Sequence, residues 1–160
     1  MLGRNANRDM NEVFPGLYIG NQRASAEFGS YFDMVVNCTP SVPFAKRPLL
    51  SAPGVRVRVA IDDHPNFNPQ MLDVARHSGI LEQMHDTLSR NQKVLVHCHA
   101  GMQRSCAMVA FYLMKYYKLS LSDTMNYIKQ YRPIAFFGGA TFMPAMQEFE
   151  RTKDVVDAPV

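Results

Sequence analysis

The sequence predicts a single α/β domain on a mostly parallel sheet. Three observations predict it: one strand that alternates apolar and charged residues, two short wholly apolar strands, and helical segments lying between them. Val55, Val57 and Val59 alternate with Arg56 and Arg58, the period of two expected of a half-exposed strand. Met34–Cys38 and Val94–Val96 are short apolar runs, as in strands that a parallel sheet buries on both faces.

Asn68-Pro69 reads as a helix start, with Asn68 as N-cap and Pro69 at the first helical position. Met71, Val74, Ala75, Ser78, Leu81 and Leu88 follow at helical spacing. Cys106–Met114 is almost wholly apolar, so a helix there is expected to be buried on most sides. Ser120 with Asp123 three residues on resembles a capping box. It opens a segment carrying Leu121, Met125 and Ile128, which ends near Arg132-Pro133. A last helix is expected over Phe142–Arg151, with Phe142, Met146 and Phe149 facing inward. Residues 1–10 and 152–160 are polar or mixed and expected to be loose, leaving 11–151 as the domain.

Composition bounds the function classes. At 160 residues the chain suits one core, and 47% apolar with 19% charged residues is globular composition rather than disordered. No apolar run reaches the ~20 residues of a membrane span. The opening MLGRNANRDM lacks the apolar core of a secretory signal, and Leu2 stands where N-myristoylation needs glycine. A cytoplasmic protein with access to the nucleus is the expectation. Three cysteines, Cys38, Cys98 and Cys106, lack the spacing of a disulfide framework. The net charge of +3 is mild, and no basic run suggests nucleic-acid binding.

In α/β sheets, ligands sit beyond the carboxyl ends of the strands. The strand Val94–Val96 ends at His97-Cys98, and Cys98 and Arg104 stand with five residues between them, just ahead of the buried helix. A loop this short must curl, and Gly101 gives it the backbone freedom to do so. Curled N–H groups ahead of a helix form an anion-binding nest. The Arg104 guanidinium adds a planar fork suited to two phosphate oxygens. His99, Ala100, Gly101, Met102, Gln103 and Arg104 are therefore the candidate phosphate-binding residues. Cys98, placed beneath the phosphorus, is the candidate nucleophile, its thiol expected to fall from ~8.5 into the ~3.5–7.5 range of helix N-termini. Ser105 is placed to donate a hydrogen bond to the sulfur. A zinc reading of His97-Cys98-His99 lacks a second ligand pair, and adjacent residues in extended chain point apart.

His97-Cys98-His99-Ala100-Gly101-Met102-Gln103-Arg104-Ser105 resembles the dual-specificity branch of the cysteine-dependent protein tyrosine phosphatase superfamily, whose signature is His-Cys-x-x-Gly-x-x-Arg-Ser/Thr. The resemblance extends to Val13–Asn21 as an opening strand pair, Val35–Pro40 as the second strand and turn, Tyr112-Leu113-Met114, and Arg132-Pro133. It implies a central sheet of about five strands flanked by helices. It further implies hydrolysis of phosphotyrosine and phosphoserine or phosphothreonine in protein substrates through a phosphocysteine, with no metal or organic cofactor, no nucleic acid and no membrane. The family's general acid lies on a loop some thirty residues ahead of the cysteine. Asp63 in Asp62-Asp63-His64-Pro65 aligns best with it, and Asp62 is one residue off.

His97 is expected to be a structural hydrogen-bonder beneath the loop. His99, Met102 and Gln103 are expected at the pocket rim, and Cys38 and Cys106 in the core, with a redox role for Cys38 left open. Rival readings are a phosphoinositide or RNA 5′-phosphatase of the same fold, or a non-catalytic phosphoprotein-binding domain. After Arg132-Pro133 the chain runs Ile134-Ala135-Phe136-Phe137-Gly138-Gly139, where relatives often have Asn-x-Gly-Phe. Substrate preference is open there, because Phe136 and Phe137 are placed to wall the pocket.

Overall fold

A computed structural model describes residues 6–46 and 54–156. A short helix α1 (Ala6–Asp9) leads into a hairpin of β1 (Met10–Phe14) and β2 (Leu17–Gly20). Gly16 turns the hairpin at φ +80°. Helix α2 (Gln22–Phe28) starts at Asn21, whose side-chain oxygen accepts from the Ala24 N–H at 2.9 Å. Strands β3 (Met34–Asn37) and β4 (Val55–Arg58) follow, then helices α3 (Asn68–His77) and α4 (Ile80–Ser89). Strand β5 (Val94–His97) passes into the long helix α5 (Arg104–Tyr117), followed by α6 (Leu121–Tyr131) and α7 (Met143–Val156). The elements thus run from Ala6 to Val156, a few residues past each end of the expected 11–151.

The sheet has five strands in the order β1-β2-β5-β3-β4. The hairpin β1–β2 is antiparallel, and β5 pairs in parallel with both β2 and β3. The expected α/β class, with a mostly parallel sheet of about five strands, is what forms. Strand periodicity sorts the core into two layers. Met34, Val36, Val94 and Val96 face a large cluster with Phe111, Met108 and Phe149 of the C-terminal helices. Val35 and Leu95 face the opposite side, against Ala24 and Phe32. Burying each such aliphatic chain is worth about 1.5–3 kcal/mol.

Two helical expectations are corrected. The spacing from Met71 to Leu88 reads as one helix, but Gly79 takes φ +80° and breaks it into α3 and α4. Asn68 is not a side-chain N-cap, since α3 is flanked by Phe67 without one. The Asn68 amide instead donates to the carbonyls of Pro65 and Thr141 and accepts from the Ala145 N–H, fastening α3 to the start of α7. Ser120 does cap α6, accepting from the Asp123 N–H at 3.1 Å. Phe142, Met146 and Phe149 are buried, as expected.

Candidate active site

Strand β5 lies between β2 and β3, so its carboxyl end opens into a recess lined by theirs. Cys98 follows directly, 2% exposed, its N–H donating to the Gly20 carbonyl at 3.4 Å. Cys38 stands at the equivalent end of β3, its N–H bonded to the His97 carbonyl at 2.8 Å. From Cys98 the chain leads through the loop into α5, in which every residue from Arg104 to Met114 is buried. That helix makes a fixed base for the loop between.

The loop's carbonyls decide what its amides do. The His99 carbonyl accepts from the Gln22 N–H at 3.0 Å, and the Met102 carbonyl from the Phe136 N–H at 2.8 Å. The Gly101 carbonyl accepts from Arg132 Nε at 2.7 Å, and the Ala100 carbonyl from Arg132 Nη2 at 3.4 Å. All four are held by donors outside the loop. In a planar trans peptide the carbonyl and the next N–H point opposite ways, so the amides of residues 100–103 face inward. The Gly101 N–H indeed donates to Cys98 Sγ at 3.3 Å. Gly101 has φ +69°, and a Cβ there would lie 2.5 Å from Arg132 Nη2 and 2.7 Å from the Gly20 oxygen. Only glycine fits.

Ser105 Oγ lies 3.2 Å from Cys98 Sγ. Arg104 is 8% exposed; its Nη1 donates to the Ile61 carbonyl at 2.9 Å, while its buried Nε has no hydrogen-bond partner. A buried guanidinium N–H left without an acceptor costs about 1–3 kcal/mol; an anion over Cys98 would remove that cost. The same Arg104 contact holds the start of the next loop, because Ile61 immediately precedes Asp62 and Asp63. Both aspartates are exposed, and among the described residues neither side chain makes a hydrogen bond or ion pair.

His97 is fully buried beneath the loop, and the Cys98 backbone is the hydrogen-bonding group that acts on its ring. Burial pushes it down to about 4, so it is neutral near pH 7. Gln103 departs from expectation: it is buried, and its side chain does not line the rim. Its amide donates to the Phe137 and Gly139 carbonyls and accepts from the Thr141 N–H, tying the catalytic loop to residues 137–141. His99 is exposed and Met102 half-buried, consistent with rim positions. Phe136 is buried at φ +61°, whereas Phe137 is 74% exposed. Only the second is free to meet a ligand. Cys38 and Cys106 are buried, and burial raises both thiols.

Arg132 has a part in the site that its place in the sequence does not reveal. It is wholly buried, and besides the loop carbonyls it donates to Asn11 Oδ1 at 2.7 Å and the Arg8 carbonyl at 3.0 Å. Its only signal in the chain is a basic residue ending an amphipathic helix, which usually means solvent.

A strand-end cysteine under a ring of inward amides, with an arginine opening the next helix, places the domain in the cysteine-dependent phosphatase class. Residues 17–152 match the family model described as dual specificity phosphatase, catalytic domain. Protein 123R of Invertebrate iridescent virus 6, a tyrosine phosphatase by name, is 31% identical over 142 residues, covering 88% of this chain and 91% of its own. Human dual specificity protein phosphatase 22 is 30% identical over 144 residues, covering 89% and 74%. Among solved structures, a point variant of human DUSP28 superposes with TM-score 0.78 at 24% identity, over 92% of this chain and 97% of that one. The chain belongs to the dual-specificity phosphatase branch of the protein tyrosine phosphatase superfamily.

Proposed function

We propose that this enzyme dephosphorylates phosphotyrosine and phosphothreonine or phosphoserine in proteins through a phosphocysteine on Cys98. One observation carries the reading: four consecutive carbonyls are bound outward, turning the intervening amides toward the Cys98 thiol. The amides and Arg104 hold the three non-bridging oxygens, which is electrostatic stabilisation set up before substrate arrives. The thiolate attacks phosphorus in line; the S–P bond forms as the P–O ester bond breaks. Asp63 gives its proton to the departing oxygen. Its carboxylate then takes a proton from water, the water oxygen attacks phosphorus, and the S–P bond breaks. Ser105, 3.2 Å from the sulfur, steadies the returning thiolate. No metal or organic cofactor enters these steps.

The pocket is shallow in this reading, because Phe136 is turned into the core and only Phe137 stands free at the 134–141 loop. The test is kcat/KM on matched phosphotyrosine and phosphothreonine peptides of one sequence. Both should turn over, phosphotyrosine faster because phenolate leaves more easily. A preference beyond about 10⁴-fold, on the order of 5.5 kcal/mol in transition-state free energy, would mean a deep, tyrosine-only pocket.

A further inference from the structure

We propose that Gln103 is a positioning residue for substrate selection, holding Phe137 beside the mouth of the cradle as a fixed wall for the ring of a phosphotyrosine. This rests on the phosphatase reading and names what sets its preference among phosphoesters. Gln103 serves two loops at once. Its main chain closes the cradle just ahead of Arg104, while its side chain belongs to residues 137–141.

That side chain has no capacity to spare. One N–H of Nε2 goes to the Phe137 carbonyl at 3.0 Å and the other to the Gly139 carbonyl at 2.9 Å, while Oε1 accepts from the Thr141 N–H at 3.1 Å. Both donor hydrogens and the acceptor oxygen of the carboxamide are thus engaged by one loop, 34 to 38 residues further along the chain. The loop needs such a brace. Phe136, Gly138 and Gly139 take φ of +61°, +81° and +99°, a run of left-handed backbone that persists only where its surroundings fix it. The Phe136 N–H is held by the Met102 carbonyl at 2.8 Å, and the Thr141 carbonyl accepts from Asn68 Nδ2 at 3.1 Å.

Phe137 is therefore held at both of its own backbone groups. Its N–H donates to the Ile134 carbonyl at 3.2 Å, and its carbonyl accepts from Gln103. Its ring is nonetheless exposed, one residue on from the bond to Met102 at the cradle's rim. A ring on backbone fixed from the catalytic loop has little freedom left to lose when an aromatic ligand meets it. With phosphorus over Cys98, the ring of a phosphotyrosine rises past that rim, whereas phosphothreonine has no ring there. The contact favours one ester over the other, and Gln103 decides whether it is in place.

The experiment reads kcat/KM on matched phosphotyrosine and phosphothreonine peptides as a ratio, for full-length wild type, Phe137→Ala, Gln103→Leu and the double variant. Leucine fills a similar volume and removes the three hydrogen bonds. Each single variant should lower the phosphotyrosine-to-phosphothreonine ratio about twofold to tenfold, the worth of one aromatic pair. The double variant should lower it no further than Phe137→Ala alone, because both changes remove the same contact. A Gln103 that only braces the fold would weaken both peptides alike. An unchanged ratio in either single variant, or a double variant whose loss is the product of the two, overturns the proposal. Should Gln103→Leu not fold, Gly139→Ala takes its place in the cycle with the same outcomes. A Cβ there meets nothing within 4 Å, but φ +99° forces the loop to shift. Wild type that turns over neither peptide sinks the catalytic reading instead. The wall is then judged by anisotropy of both labelled peptides on Cys98→Ser with and without Gln103→Leu, where equal losses of affinity overturn it.

Discussion

Two loops of the molecule, the one after β5 and the one after β4, are built in opposite ways. The loop from Cys98 to Gln103 is held at each of its carbonyls from 99 to 102, backed by a buried helix and locked by a glycine with no room for a methyl group. The loop carrying Asp62 and Asp63 is exposed, and Arg104 at the start of α5 bonds the Ile61 carbonyl just ahead of it. The cradle works through its backbone, and so needs its shape fixed before substrate binds. In the proposed mechanism the acid works through one side chain that must reach a leaving oxygen, and that oxygen's position differs between tyrosine and threonine esters. Rigidity suits the first task and latitude the second.

Breaking the exposed loop should give the largest catalytic loss. Asp63→Asn is expected to lower kcat roughly 10²–10⁴-fold on peptide esters, the usual worth of general acid catalysis. The loss should shrink on an activated aryl phosphate, whose leaving group needs no proton. Asp62→Asn should do much less, and the reverse order in steady-state kinetics would move the acid by one residue. Breaking the rigid loop should cost both activity and stability. Gly101→Ala brings a left-handed strain and a clash with Arg132 and Gly20, together about 2–4 kcal/mol in a denaturant titration. A cradle displaced by an ångström should lose about 10²-fold in kcat; a variant of wild-type stability would mean the loop is not so constrained.

The contrast between the loops also explains what was legible in the chain. Cys98, Gly101, Arg104 and Ser105 sit within eight residues, so their spacing on a strand–loop–helix unit prescribes their geometry. The strands were legible from period two, and the capped start of α6 from Ser120 and Asp123. Arg132 and Gln103 were not legible as supports. Their partners lie far off in sequence, Asn11 for the first and Gly139 for the second, and no local pattern encodes such pairings. The break at Gly79 was missed because the apolar positions on either side stay in phase, and only the positive φ ends the helix. His97 was legible as a group beneath the loop from its place at the end of a buried strand, but not how far packing would desolvate its ring.

That ring sharpens the comparison at the smallest expected effect, beneath the rigid loop rather than in it. Unfolded, His97 takes a proton below about 6.5; folded, it resists until about 4. Its folded value is depressed and its neutral form is the buried one. Its stabilisation is therefore full above about pH 6.5 and lost as pH falls toward 4, by about 3 kcal/mol in all. Ring signals in an NMR titration should remain those of neutral imidazole down to about pH 5. Protonation near 6.5 would show that the floor of the cradle is wet.

The most direct measurement is to catch the intermediate. Wild type and Cys98→Ser are mixed briefly with a phosphotyrosine peptide labelled in its phosphoryl group, quenched in acid and mapped by mass spectrometry. Label on the peptide containing Cys98 in wild type is the predicted result, with none in Cys98→Ser, whose turnover falls below a tenth of wild type while it still binds the phosphopeptide. Turnover with no labelled Cys98 in wild type, or comparable turnover by Cys98→Ser, would contradict the account.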